Sequence, residues 1–515
     1  MDAGRRRNRT YLRRIFVLYI MLPRNALLIY PEYPDSFWSF KHVMKFLSRK
    51  AAFPPLSLMT LGAMLPKEWN IKLVDVNVSL LTDEAIGWAD IVFIGGMIVQ
   101  ADSAAEIIHR CKEQSKVVVA GGPLFTTGFE DFPEVDHFVL GEAEITLPLF
   151  LQDLEAGNPQ HLYQSAERPD VTKTPAPLWS LINFKDYVTM SVQFSRGCPF
   201  NCEFCDIIIM NGRTPRTKTS EQLLAEFDGL YAAGWRSSVF IVDDNFIGNK
   251  VRAKAMLKAL IGWQKEHQYP FKFFTEASTN LADDDEMLDL MSAANFYKVF
   301  LGIETPEDAT LIHTGKVQNA GRDIVEAVHK INRHGMQVMA GFIVGFDTDT
   351  EKIFDTQIHF IQEMGVVTAM VGMLTALPQT RLYNRLKAEG RLVSKSTGGN
   401  TDGTLNFIPT LDRGILTDGY KRILTTIYSP TKYYERINTF ISHYKPTVRT
   451  RLSETDMRAF TRSLWAIGLL SPSRSLYWKL ILKTMLKNRK AVPAAVELAI
   501  IGLHYEKVTK RTVLA

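Results

Sequence analysis

Residues 196–205 read Arg196-Gly197-Cys198-Pro199-Phe200-Asn201-Cys202-Glu203-Phe204-Cys205 and hold three of the four cysteines in a chain of 515 residues. The spacing is C-x3-C-x2-C. Three thiolates on one tight loop suit three irons of a cubane iron–sulfur cluster and leave the fourth iron without a protein ligand. An open metal position is where a substrate or cofactor can coordinate. The competing readings fit poorly. A structural zinc site takes four ligands, commonly as two separated pairs, and no second C-x2-C exists; the remaining cysteine, Cys111, lies far upstream with His109 beside it. A disulfide would leave an odd thiol in the loop. Cys111 sits in a helical pattern over residues 101–114 and reads as a small core residue.

Around the cysteines, residues 187–390 alternate between strand and helix patterns. Strand candidates are 188–194, 238–242, 271–276, 299–303, 338–342 and 369–375, with helices between them. Six such units predict a partial (β/α)6 barrel, whose chemistry gathers at the carboxyl ends of its strands. Those ends carry the cysteines, Asp243-Asp244-Asn245, Glu276, Glu304 and the stretch Gly341 to Gly345. Each has a plain alternative: the Asp-Asp-Asn run as a cap or turn, the two glutamates as partners of a neighbouring base, the glycines as relief of packing.

Residues 25–155 alternate in the same way, with short apolar runs at 26–30, 71–76, 91–95, 117–121 and 137–141. This predicts an α/β domain with a doubly wound, Rossmann-like parallel sheet, which binds ligands beyond the carboxyl ends of its strands. Gly95, Gly96, Gly121, Gly122 and Gly141 stand at those ends, where a missing side chain lets backbone approach a ligand, and Glu142 follows. Residues 156–186, with Pro159, Pro169, Pro175 and Pro177, read as a linker. Residues 391–515 read as a helical, aromatic-rich C-terminal domain.

Composition fits a globular protein: 46 % hydrophobic and 22 % charged residues. Few cysteines, mostly in one cluster motif, indicate a reducing, cytoplasmic compartment rather than a secreted scaffold. The net charge of +5 is unevenly spread, at +6 over residues 1–24, +11 over 431–515 and −12 between. Basic ends suit an anionic surface, taken here as peripheral contact at the inner membrane face rather than nucleic acid; a solvated charged face is the plain alternative. Residues 1–24, basic and then apolar over Ile15 to Leu22, read as an N-terminal extension too short to span a bilayer. The stretch 474–490 interleaves apolar and basic residues with Trp478, as a helix lying on an anionic bilayer would, or as one packing on the barrel.

The cysteine loop, with Phe204 before its last cysteine, resembles the hallmark of the radical S-adenosylmethionine (SAM) superfamily, over residues 187–390. That resemblance implies a [4Fe-4S] cluster on Cys198, Cys202 and Cys205, SAM chelated by the open iron, and reductive cleavage of SAM to a 5′-deoxyadenosyl radical. It implies that Phe204 packs near the adenine and that Asp243 and Asp244 meet the methionyl amine. Glu276 and Glu304 would bind ribose or amino groups, and Gly341-Phe342-Ile343-Val344-Gly345 would line the adenine. Phe53-Pro54-Pro55-Leu56, Ala120-Gly121-Gly122-Pro123, Gly141-Glu142-Ala143-Glu144 and Leu377-Pro378-Gln379-Thr380-Arg381-Leu382-Tyr383 resemble a narrower group. Its members carry an N-terminal cobalamin-binding domain and a helical C-terminal domain, and include methylases of hopanoid lipids and of bacteriochlorophyll side chains. The implied cofactor is cobalamin, held at Gly95, Gly96, Gly121, Gly122, Gly141 and Glu142. The implied reaction is methylation of an unactivated carbon on a small apolar substrate, with a flavodoxin or ferredoxin as electron donor. The D-x-H-x-x-G cobalamin motif is absent after the first strand, and His42 has no matching Asp or Gly, so no histidine is expected beneath the cobalt. A radical SAM oxidation or ring closure with a non-methylating or vestigial cobalamin domain is the alternative. A binding protein with an inert cluster is a third reading, against which the cysteines, glycines and strand-end acids argue.

Overall fold

The structure, a computed structural model, describes residues 24–37, 39–399, 401–450 and 453–514. The basic N-terminal extension, Arg24 apart, lies outside the described residues.

Six parallel strands form the first sheet: β1 (Asn25–Tyr30), β2 (Asn70–Asp75), β3 (Ile91–Gly95), β4 (Val117–Gly121), β5 (His137–Val139) and β6 (Leu162–Tyr163), in the order β2-β1-β3-β4-β5-β6. Successive side chains of a strand face opposite ways, and both faces are covered. Leu27, Ile29, Val92 and Ile94 pack with Ile107, Ile108 and Cys111 on one side. Ala26, Leu28, Ile91 and Phe93 pack with Leu147 and Phe150 on the other. Such double burial explains why these strands read as continuous apolar runs. The segment read as a linker is more structured than its prolines suggest. It supplies β6, whose buried Tyr163 packs on Phe150, and short 3-10 turns at Val171–Lys173, Trp179–Leu181 and Phe184–Asp186. A two-residue strand is too short to leave a period in sequence.

The second sheet contains β7 (Met190–Val192), β10 (Ser238–Ile241), β11 (Lys272–Ala277), β12 (Phe296–Glu304), β13 (Gln337–Val344) and β14 (Ala369–Met373), all parallel and in the sequential order β14-β13-β12-β11-β10-β7. This is the expected partial barrel. Between β7 and β10 the chain leaves the sheet for a small antiparallel hairpin, β8 (Ser195–Arg196) with β9 (Arg216–Thr217), and the cysteine loop joins them. The strand expected over 188–194 therefore ends early, because Phe194 and Ser195 turn to bond Asp243 at the tip of β10.

Among the described residues the C-terminal region contributes helices Arg413–Ile427, Pro430–His443, Glu454–Ala466, Arg474–Lys487 and Val492–Leu514. Arg436, fully buried, joins this region to the barrel: its guanidinium donates to Gln362 Oε1 and to the carbonyls of Ile427 and Val367. The last helix returns to the N-terminal segment, where Tyr505 stacks on Phe37 at 4.4 Å and the His42 ring lies 5.5 Å from that of His504. Helix 474–487 buries Tyr477, Leu480 and Ile481 internally and presents Leu482, Met485 and Leu486 outward. Part of its apolar surface is thus a packing face, as the alternative of a helix packed on the rest of the protein expects, and part stays exposed. No described helix is long and apolar enough to cross a membrane.

Candidate active site

The cysteine loop is fixed at both ends by backbone geometry. Gly197 has φ +99, and a Cβ there would sit 2.9–3.1 Å from the carbonyl oxygens of Gly212, Thr214 and Asn211, so only glycine fits. Glu203 donates its N–H to the Thr314 carbonyl and holds Arg385 through Oε1 at 2.9 Å. Among the described residues no three His, Cys, Asp or Glu side chains converge on a single-ion position; a cubane asks one thiolate of each of three irons.

Asp243 and Asp244 sit at the tip of β10, as the sequence predicts, but their bonds run to the loop itself. Asp243 accepts from Phe194 N at 2.7 Å and Ser195 Oγ at 2.6 Å, and is buried. Asp244 Oδ2 accepts from Gly197 N and Asn211 Nδ2, both at 2.9 Å, and among the described residues no hydrogen bond reaches Oδ1. Burial pushes Asp243 up to about 7 despite its two bonds. Glu276, at the end of β11, is pushed up to about 8 by burial and then by the neighbouring Asp244 and Asp243. A carboxyl in that state is neutral near pH 7 and can donate a hydrogen bond.

Glu304 ends β12 in the left-handed region, at φ +70, and is ion-paired with Lys316. The ammonium lies 5.9 Å from the centre of the Phe204 ring. Gly302 makes room for the pair: a Cβ there would stand 2.5 Å from Glu304 Oε1 and 2.6 Å from Lys316 Nζ. Burial raises the thiols of Cys198 and Cys205, and the Lys316 charge works against that rise in both. Asn245 Nδ2 reaches Cys198 Sγ at 3.9 Å, and Gln318 Nε2 reaches Cys202 Sγ at 3.7 Å. Donors to ligating sulfurs tune a cluster's potential. Asn245 was legible as the third member of a strand-end run; Lys316 and Gln318 follow a short helix and carried no positional signal.

Gly341 and Gly345 behave differently from each other. A Cβ on Gly341 would meet the Phe300 ring at 3.2 Å. Gly345 has φ +100, and its N–H and that of Phe346 both bond Asp349 Oδ2. Phe346 lies 6.0 Å from Phe204, closing a partly apolar wall beside the loop.

At the edge of the first sheet the glycines also divide. A Cβ on Gly121 would come 2.6 Å from the Val139 carbonyl, so sheet packing alone demands glycine. Gly95 and Gly96 face Leu58 and Gln100 at 3.1 and 3.4 Å. Gly122 and Gly141 have φ +84 and +74, and nothing lies within 4 Å of a Cβ on Gly141. Glu142 already has partners within the protein: it bonds Arg196 at 2.8 Å and Arg216 at 2.7 and 3.0 Å, with Arg168 at 3.6 Å. Arg196 also bonds Glu144 at 2.8 Å. This buried network joins the edge of the first sheet to the hairpin that carries the cysteine loop.

Residues 192–405 match the model of the radical SAM superfamily, and residues 380–514 match a domain of unknown function, DUF4070. The chain is 45 % identical over 460 residues to an uncharacterized methyltransferase of Synechocystis sp., covering 88 % of this chain and 86 % of that protein. It is 32 % identical over 479 residues to the hopanoid C-2 methylase of Rhodopseudomonas palustris, covering 90 % of each. Its fold is similar to the cobalamin-dependent SAM radical enzyme OxsB, with a TM-score of 0.60 at 15 % identity over 95 % of this chain and 80 % of that one. It is equally similar to the radical SAM methyltransferase TsrM from Kitasatospora setae, with a TM-score of 0.60 at 15 % identity over 91 % and 99 %. The chain belongs to the radical SAM superfamily, in the group that joins a cobalamin-binding-type N-terminal domain to a radical SAM barrel and a helical C-terminal domain. It is an enzyme whose cofactors are a [4Fe-4S] cluster and SAM.

Proposed function

We propose that this enzyme methylates an unactivated carbon of an apolar substrate of the isoprenoid-lipid or tetrapyrrole type, using cobalamin bound at the carboxyl edge of the first sheet. The observation that carries this reading is the 32 % identity to a hopanoid C-2 methylase over 90 % of both chains. The donor set suits the cofactors. Left-handed Gly122 and Gly141, the latter beside open space, leave room for a large flat ring. When bound, the cluster and SAM supply a radical that can take a hydrogen atom from carbon, and cobalamin supplies a methyl group.

Cys198, Cys202 and Cys205 hold the cluster, and Asp243, Asp244 and Gly197 hold the loop. Asp244 Oδ1, Glu276 and the Glu304–Lys316 pair face SAM, with Phe204, Gly341 and Gly345 about its adenine. Gly95, Gly96 and Gly121 keep the cobalamin edge low. The Glu142–Arg196–Arg216 network sets that edge against the loop, so that both cofactors address one substrate. A flavodoxin or ferredoxin delivers the electron. Substrate of this kind resides in or at a membrane, and Trp465, Leu470 and Leu486, exposed by 63, 66 and 86 %, with Lys483 and Lys487 on the same helix as Leu486, suit peripheral contact with an anionic inner-membrane surface.

Anaerobic reconstitution with iron, sulfide and hydroxocobalamin tests the reading. Bound cobalamin should appear in the optical spectrum, and incubation with SAM, a reductant and a hopanoid or tetrapyrrole extract should give a methylated product together with 5′-deoxyadenosine. A full turnover to an oxidised or cyclised product with no added methyl would replace it with the alternative.

A further inference from the structure

At the end of the barrel opposite the cysteine loop lies a second cavity, of about 560 Å3, within the usual size range of ligand pockets. It opens among the first residues of the barrel strands and the helices Lys41–Leu47, Glu454–Ala466 and Val492–Leu514. Its walls are mainly apolar, with Val43, Met44, Leu47, Phe274, Phe460 and Ile500 among them. Lys272 and Glu276 share β11 and point to the same interior side, four residues or about 13 Å apart. Between them Phe274 stacks on Phe240 at 4.6 Å, with Phe53 at 5.5 Å from Phe240. This aromatic layer separates the lower cavity from the cofactor site.

The cavity is not uniformly apolar. It adjoins a chamber of about 540 Å3 that shares Lys272, Tyr297 and Arg236 with it and adds Arg449 and Lys490. The two carboxylates present are already engaged: Glu497 is paired with Lys298, and Asp456 accepts from Ser453 N and Oγ at 2.7 Å. Lys272 makes no hydrogen bond or close ion pair with the described residues; its ammonium stands 4.8 Å from the centre of the Tyr297 ring, and Glu497 and Asp456 act on its charge only from a distance. An ammonium withdrawn from water is costly; the ring face and the more distant carboxylates offset that cost but leave its hydrogen-bond donors without a protein acceptor among the described residues. An apolar chamber that adjoins one carrying Lys272, Arg236, Arg449 and Lys490, with a lysine at their junction that has no direct anionic partner among the described residues, is complementary to an anionic amphiphile.

We infer that the lower end of the barrel is a binding site, separate from the cofactor site, for an amphiphile with a long hydrocarbon chain and an anionic carboxylate or phosphate head. The chain lies along Val43, Met44, Phe460 and Ile500; the head meets Lys272, with Arg449 and Lys490 beyond it.

The test is a fluorescence titration of the reconstituted holoenzyme with cis-parinaric acid, displaced by oleate, by oleoyl lysophosphatidic acid or by oleyl alcohol. Saturable binding of one probe per chain is expected, with the alcohol at least tenfold weaker as a competitor than the better anion; which anion is better identifies the head. Lys272→Met, which keeps the volume and removes the charge, should weaken the probe at least tenfold. Ile500→Trp should block it, and Val251→Ala, on the exposed face of a barrel helix, should leave it unchanged. Cluster absorbance and SAM cleavage, retained in all three variants, show that the fold persists. Absence of saturable binding overturns the inference, as does equal competition by alcohol and anions or wild-type affinity in both Lys272→Met and Ile500→Trp.

Discussion

Gly302 shows how one absent side chain can hold a site together. Its missing Cβ is the space in which Glu304 and Lys316 meet, and Glu304 takes a left-handed backbone to reach it. Removing one partner of a buried pair costs about 3–5 kcal/mol. Lys316→Met should therefore lower stability by that order, as read by denaturant unfolding, and should weaken SAM binding by isothermal titration. Retained stability and affinity would make the pair incidental. The cysteines admit a plainer prediction. Cys198→Ala, Cys202→Ala and Cys205→Ala should each abolish the brown absorbance and SAM cleavage, whereas Cys111→Ala, whose buried thiol is raised to about 11, should change neither. Asp243 supplies a pH test. Burial raises it from an ordinary 3.8 to about 7, so the fold favours its neutral form. That contribution is complete below pH 3.8 and is lost as pH rises through 7, at about 1.4 kcal/mol per unit. Wild-type stability should fall against Asp243→Asn across that window; parallel profiles would show that Asp243 is ionised in the fold. The cysteine triplet was legible because its spacing is itself the chemistry. The direction of Asp243 and Asp244 was not, because a strand-tip carboxylate serves a ligand or a loop equally well until the loop's N–H groups are located.

The hairpin and the first-sheet edge act as one element through Glu142. Sequence marked Glu142 as a strand-end acid beside a glycine and so as a cobalamin contact. The structure pairs it with Arg196 and Arg216, which come from the distant hairpin and give no local signal. Glu142→Ala leaves the Arg216 guanidinium, its side chain only 18 % exposed, without a carboxylate while Arg196 keeps Glu144, a loss of about 3–5 kcal/mol. It should also raise proteolysis between the two sheets while Glu142→Gln has a smaller effect. Equal stability of all three proteins would remove the network from the account of how the sheets are joined. Long strands and helices were readable from their apolar runs and periods. β6 was not, nor was the break after Val192, since both are set by partners elsewhere in the chain.

At the scale of the molecule, the carboxyl edge of the first sheet is tied to the cysteine hairpin through Glu142, Arg196 and Arg216, and C-terminal helices pack against the opposite end of the barrel. Both sheets were legible because parallel strands buried on both faces must be apolar throughout. The choice between packing and lipid for helix 474–487 was not, since an apolar stripe has the same period against lipid as against protein. Gly122→Val should block cobalamin uptake and leave cluster absorbance intact, because φ +84 is strained for a side chain. Normal uptake would move the cobalamin away from that edge. The most direct measurement follows the methyl group itself: turnover of reconstituted enzyme with methyl-deuterated SAM and a hopanoid or tetrapyrrole extract, with and without cobalamin, read by mass spectrometry. The account predicts a fully labelled methyl on a carbon of the apolar product only when cobalamin is bound. Equal label transfer by protein shown to hold no cobalamin, or 5′-deoxyadenosine formed with an unlabelled, turned-over product, would contradict it.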